Sequence, residues 1–190
     1  MKGLLYTPFM RKLATLALMT LALAACGESP GPQPASEPVL SVSVHPASPQ
    51  AGQNVTFTVS LTGGSGTWNV ALFNQDPDGR VDQLYPNRLP DGQPTLTPGA
   101  TLNFPPPNAR YLFVAAGPFG TNTLLVYATQ NTLDLEGEGL SRYDNAQAQF
   151  ASVVGQGGDP LSPLHAKLRL LYPGISNVIH YEVTNPAPVP

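Results

Sequence analysis

Apolar and polar residues alternate along much of the chain after position 39, which is the pattern of strands with one buried face. Turns rich in glycine and proline interrupt the alternation. This pattern predicts five short strands, at 40–44, 55–61, 68–75, 80–85 and 100–104. The third and fourth strands are expected to form a hairpin, because an Asp-Pro-Asp-Gly turn separates them.

Two later segments, 110–116 and 121–129, are apolar almost throughout, and Gly-Pro-Phe-Gly joins them. Strands that are buried on both faces have this character, so both segments are predicted to be central strands. Seven short strands with frequent turns predict a mainly β fold. The expected architecture is a β-sandwich of immunoglobulin-like or similar type, formed by residues 39–135.

The pattern changes in the C-terminal part, residues 136–190, which is expected to pack on the sandwich. One helix is predicted at 142–154, because four apolar residues recur there at helical spacing: Tyr143, Ala146, Phe150 and Val154. A short terminal strand pair is predicted at 166–171 and 178–184, followed by a proline-rich tail.

The N-terminus has the features of an export signal. It contains basic residues and no acidic ones, followed by an apolar run at 13–25. That run is too short for a membrane span, which needs about 20 residues, and suits a secretory signal peptide. The run ends in Leu-Ala-Ala-Cys26, which resembles a bacterial lipobox. An ordinary signal peptide with a chance cysteine, or a short buried helix, is the alternative.

The lipobox resemblance implies that residues 1–25 are removed and that Cys26 carries a covalent lipid. Residues 26–38 contain many prolines and are predicted to be a semi-rigid tether. The protein is therefore expected on the extracytoplasmic side of a bacterial envelope. Gly27, in place of an aspartate after the cysteine, favours the outer membrane over the inner one.

Charge limits the classes of partner. The part after Cys26 has 6 basic and 12 acidic residues, a net charge of −6, because Lys2, Arg11 and Lys12 precede it. Nucleic-acid binding needs a cluster of basic residues to neutralise phosphates, and this part of the sequence has none. One cysteine cannot form an internal disulfide, so packing must hold the fold together.

Several short motifs occur in a fixed order: VALFN at 70–74, DGRV at 78–81, LYPN at 84–87, AGPFGT at 116–121 and LLVYAT at 124–129. This set resembles domain-of-unknown-function family 4384 (DUF4384), over residues 41–135. The resemblance implies a β-sandwich-like module of the kind found in envelope lipoproteins and beside separate catalytic domains. It implies no activity that could be assigned to a residue here.

Metal binding is one alternative function. His45, His165 and His180 are the candidate ligands, and imidazole suits copper and zinc. A copper/zinc site on the outside of a sandwich would point to redox activity like that of superoxide dismutase. Alternation places each histidine on the polar face of a predicted strand, where a solvated histidine is the commoner outcome. No cofactor is predicted beyond the lipid on Cys26.

Two further patterns have candidate chemistry. Asp76, Asp78 and Asp82 cluster at one hairpin and could attract calcium, although a solvated turn explains them as well. Four aromatic residues at strand ends or turns could stack on sugars, which would make the protein a glycan- or cell-wall-binding module; packing in the core is the alternative. These four are Trp68, Tyr85, Phe119 and Tyr172.

The sequence contains no nucleophile elbow and no phosphate-binding glycine loop, so no small-molecule substrate is predicted. The leading expectation is a non-enzymatic, lipid-anchored sandwich. It would serve as an accessory or adaptor subunit of a larger outer-membrane or surface-layer protein complex.

Overall fold

The computed structural model describes residues 36–155 and 159–185. The predicted signal peptide, Cys26 and most of the predicted tether lie outside these residues. The described residues belong to one compact unit. None of the helices in these two ranges has the length and hydropathy that a membrane crossing requires.

Two sheets and one helix make up the regular structure of the described residues. The smaller sheet has the strand order β1-β2-β6, and the larger has the order β10-β7-β3-β4-β9-β8, with β5 paired to β3. The elements are β1 Val39–His45, β2 Thr56–Thr62, β3 Trp68–Gln75, β4 Val81–Tyr85, β5 Thr95–Leu96, β6 Thr101–Phe104, β7 Gly120–Thr129, β8 Ser141–Arg142, β9 Ala151–Val153, α1 Leu161–Leu171 and β10 Gly174–Val183.

The two sheets pack face to face around an inner core that is rich in aromatic rings. Phe57 of β2 lies at its centre, with ring centroids 5.3 Å from Phe113 and 5.6 Å from Tyr181. Phe104 of β6 meets Tyr85 edge to face at 5.0 Å. Alternate residues of β3 and β7 line the opposite wall, so the period-two pattern is the direct cause of this core.

The other face of the larger sheet is also buried, and α1 covers it. Leu161, Leu164 and Leu168 recur at helical spacing and point into this outer core. They pack with Phe73 of β3 and Leu125 of β7. The strands β3 and β7 are therefore buried on both faces, which explains why their sequences are apolar almost throughout.

The predicted β-sandwich with one C-terminal helix is confirmed, but the helix lies elsewhere. Residues 142–154, predicted as a helix, instead contain the end of β8, an irregular stretch and β9. Their spaced aromatics serve separate contacts: Tyr143 stacks under Arg88 at 3.6 Å, and Phe150 packs on Phe104. The strand predicted at 166–171 is also wrong, because these residues form the second half of α1.

The segment 110–116 is not a central strand. It makes one isolated antiparallel bridge, from Val114 to Asn54, beyond the N-terminal end of β2. By contrast, the strands predicted at 40–44, 55–61, 68–75, 80–85, 100–104, 121–129 and 178–184 are confirmed within a few residues. The hairpin between β3 and β4 is confirmed as well.

Candidate functional site

The helix α1 covers only part of the outer face of the larger sheet. Beyond its N-terminal end lies an open cleft of about 370 Å³, which we call the outer cleft. Its apolar floor consists of Leu125, Leu161 and Val178. Its polar rim consists of Gln75, Thr123, Asp159, Ser162, His165 and His180.

Two imidazole rings stand at the rim of the outer cleft, and each is held by a hydroxyl group. His180 of β10 lies opposite Thr123 of β7, and its Nδ1 is 3.0 Å from the Thr123 hydroxyl. His165 of α1 has its Nε2 at 2.8 Å from the hydroxyl of Ser176. These contacts fix the ring positions on either side of the apolar floor.

Electrostatics at the outer cleft favour uncharged imidazole at His165. Burial lowers the pKa of His165 below its ordinary value, and the nearby positive charge of Arg169 lowers it further. Asp159 carries a negative charge, because hydrogen bonds from Ser162 lower the pKa of its carboxyl group. The cleft can therefore offer hydrogen bonds and an apolar floor to a small polar ligand.

The three candidate histidines are not gathered in one place. His165 and His180 line the same cleft, whereas the exposed His45 ends β1 in the smaller sheet. Within residues 36–155 and 159–185, no three or more His, Cys, Asp or Glu side chains are arranged to hold a metal ion. Copper or zinc binding by these residues stays a prediction.

The aspartates of the β3–β4 hairpin have other partners. The Asp76 carboxylate accepts a hydrogen bond from the backbone N–H of Arg80 at 2.8 Å, and Asp82 pairs with the Arg80 guanidinium at 3.1 Å. Partial burial raises the pKa of Asp82, although Arg80 opposes that shift. These contacts describe a stabilised turn, which was the alternative to calcium binding.

Three of the four aromatic rings considered for sugar stacking are buried. Trp68 and Tyr85 belong to the inner core, and Tyr172 belongs to the outer core. Only Phe119, which is 46% exposed, presents its ring to solvent. Core packing, which was the alternative to sugar stacking, therefore accounts for Trp68, Tyr85 and Tyr172.

A second candidate surface is the segment 110–116, which we call the open edge. The carbonyl of Phe113 accepts from the N–H of Val55 at 2.8 Å, and the N–H of Ala115 donates to Gln53 at 2.9 Å. The backbone groups of Val114 therefore point away from the chain of β2. Neither Leu112 nor Val114 forms a backbone hydrogen bond to any residue that the structure describes, because the bridge between Asn54 and Val114 is made by the backbone groups of Phe113 and Ala115.

Two outward side chains of the open edge, Leu112 and Val114, are large and apolar, and the exposed Arg110 precedes them. Leu112 is 66% exposed and Val114 is 43% exposed, while Tyr111 and Phe113, which alternate with them, are half-buried against the inner core. An edge with free backbone groups and apolar side chains is a surface on which another strand can pair. Sequence reasoning missed it, since a continuous apolar run predicts burial on both faces.

The fold defines the class of protein as a two-sheet β-sandwich with a helix packed on one sheet. Residues 48–132 match the family described as Domain of unknown function (DUF4384), so the chain carries a domain of that family. This confirms the resemblance at 41–135. The matched residues run from just before β2 to just after β7 and include the open edge. No curated protein and no solved structure matches the chain.

Proposed function

We propose that the chain is a lipid-anchored protein of the bacterial cell envelope, held in the outer membrane. Its sandwich serves as an accessory or adaptor module that binds a larger envelope protein complex. The lipobox-like sequence before Cys26 and the proline-rich tether support the anchor. Binding of a protein partner is supported by the open edge, the single observation on which that half of the proposal rests.

The open edge is suited to an extended segment of the partner protein. A partner strand would hydrogen-bond to the outward N–H and C=O groups of Val114, and its alternate side chains would cover Leu112 and Val114. Natural sheets protect exposed edges with charged residues, and within the open edge only Arg110, at its start, is charged. Strand addition would bury this apolar edge.

Site-specific crosslinking in living cells tests the contact. A photoreactive amino acid at position 112 or 114 should capture one partner protein. The same label at Val154 should not, although Val154 is exposed to a similar degree, at 47%. Val154 follows β9 and lies outside the open edge, so it is a control of matched exposure.

Charge at the open edge provides the second arm of the test. Leu112→Lys combined with Val114→Lys should weaken capture of that partner roughly tenfold or more, because the pairing strand would have to desolvate two charges. Val154→Lys should leave capture unchanged. Crosslinking that is equally strong at all three positions, or capture that survives the double substitution, would show that the partner binds elsewhere.

A further inference from the structure

Residues 36–38, the first that the structure describes, are held against the sandwich. The carbonyl of Ser36 accepts a hydrogen bond from the N–H of Gly64 at 2.6 Å. Gly63 and Gly64 have φ values of +66° and +68°, and a Cβ atom on Gly63 would overlap the carbonyl of Glu37. This glycine pair therefore holds residues 36–38, where the predicted tether enters the domain.

The C-terminal end of α1 lies at the same end of the sandwich. Two hydrogen bonds connect the two places: Gln130 Nε2 donates to the carbonyl of Ser65 at 2.7 Å, and the Thr129 hydroxyl donates to the carbonyl of Pro173 at 2.7 Å. Pro173 follows the capping residue of α1. We call this end of the sandwich, with residues 36–38 and the last turn of α1, the tether end.

The last turn of α1 is apolar and exposed. Leu170 is 82% exposed and Leu171 is 39% exposed. Two cationic residues stand beside them, Lys167 and Arg169, and neither forms a salt bridge within the described part of the chain. A single exposed leucine is ordinary. Two adjacent exposed leucines beside cationic side chains without a salt bridge, in a chain whose net charge after Cys26 is −6, indicate a binding surface.

We propose that the tether end rests on the membrane that holds the anchor, with Leu170 and Leu171 in contact with the lipid headgroup region. Lys167 and Arg169 would face anionic headgroups, and apolar residues flanked by basic ones are typical of interfacial contacts. This inference rests on the proposed lipid anchor at Cys26. Nine residues lie between Cys26 and Ser36, and the ten residue steps span at most about 36 Å, so the domain stays near the bilayer.

This contact would also orient the sandwich. With the tether end on the lipid, the opposite ends of the strands, including the β3–β4 hairpin, point away from the membrane. The contact gives the anchored protein a second, reversible attachment, which complements the covalent one.

Vesicle co-sedimentation tests the lipid contact without the anchor. The chain from residue 26 onward, carrying Cys26→Ser, is mixed with vesicles of phosphatidylglycerol or of phosphatidylcholine. We expect binding to phosphatidylglycerol, and at least a roughly tenfold loss of it in Leu170→Glu combined with Leu171→Glu. Leu112→Glu with Val114→Glu is the matched control, since it adds the same charges at another exposed apolar site and should bind like the parent.

Two further variants keep the result interpretable. Lys167→Glu with Arg169→Glu alters only exposed side chains, so it should fold normally and lose binding to phosphatidylglycerol. Absence of binding to phosphatidylglycerol by the parent, or equal losses in the 170/171 and 112/114 variants, would overturn the lipid contact. The anchor is scored separately: in cells, a labelled fatty acid should be incorporated into the parent and not into Cys26→Ser, and absence of the label from the parent would refute the anchor alone.

Discussion

The two faces of the larger sheet are buried by different partners. The inner face meets another sheet, and a network of aromatic rings fills the space between them. The outer face meets one helix and leucines of the loop before β8, and its core contains mostly aliphatic side chains. The inner core closes fully around Phe57, whereas the outer cover stops short and leaves the outer cleft.

The difference between the inner core and the outer cover coincides with the extent of the family match. Most of the inner core comes from residues 48–132, which the DUF4384 family accounts for. The side chains that cover the outer face come from the C-terminal part, including α1. The proposed lipid contact and most of the outer cleft lie on the covering elements and on β10. Features particular to this chain are therefore expected on the outer face.

Deleting a large side chain from each core gives the largest expected effect. Phe57→Ala should lower the free energy of unfolding by about 3–5 kcal/mol, and Leu168→Ala by about 2–5 kcal/mol, because both side chains are fully buried. Urea denaturation measures both values. Each variant should unfold in a single transition, since β3 and β7 belong to both cores.

A second, earlier transition in Leu168→Ala alone would contradict this shared cooperativity. It would mean that α1 can detach while the sandwich stays folded. Leu170→Ala is the control on the same helix: its side chain is 82% exposed, so its removal should change stability very little.

Two buried tyrosines offer a finer comparison of the faces. On the inner face, the Tyr181 hydroxyl donates to Asn74 at 2.8 Å; on the outer face, the Tyr127 hydroxyl donates to the carbonyl of Tyr172. Tyr181→Phe leaves the buried amide oxygen of Asn74 without its donor and should cost about 1–3 kcal/mol. Tyr127→Phe should cost a similar amount, because the carbonyl of Tyr172 is buried as well.

Thermal or urea denaturation of the two variants in parallel provides the measurement. Asn74→Leu combined with Tyr181→Phe is the informative control, since removing both partners should recover part of the loss. A much smaller loss in Tyr127→Phe than in Tyr181→Phe would show that water reaches the outer core more easily than the inner core.

The sequence pattern predicted the inner core well because β1 and β2 bury alternate residues and β3 and β7 are apolar almost throughout. It failed on the outer cover for a physical reason. Lys167, Leu168, Arg169 and Leu170 alternate as a strand would, and only Leu161 and Leu164 upstream reveal the helical spacing of the buried face. Residues 142–154 have helical spacing, but pairing of β9 with Asp82 and Gln83 of β4 overrides it.

The candidate sites were less predictable than the fold. His165 was placed on a strand, so its approach to His180 in the outer cleft could not be foreseen; both positions depend on how α1 packs across β7 and β10. The open edge was hidden for the opposite reason. An apolar run at the edge of a sheet has the same composition as one at its centre, and only the pairing of Asn54 with Val114 distinguishes them.

The smallest expected effect is a pH dependence that originates in the outer cleft. Burial and Arg169 lower the pKa of folded His165 below the ordinary value of 6.5, so the unfolded chain binds a proton more readily. The stability that His165 contributes is therefore complete above pH 6.5 and is lost as the pH falls toward the folded pKa. The charged and titratable groups around the ring are Arg169, Asp159, His180 and Tyr127.

Melting temperatures of the parent and of His165→Gln, measured from neutral to mildly acidic pH, test this expectation. Glutamine can keep a hydrogen bond to Ser176 but has no proton to gain, so the variant should lose less stability on acidification than the parent. His45→Gln is the matched control, because His45 is exposed at the end of β1 in the smaller sheet, and its curve should follow that of the parent. Parallel curves for all three proteins would show that the partly covered outer face places no constraint on the charge of His165.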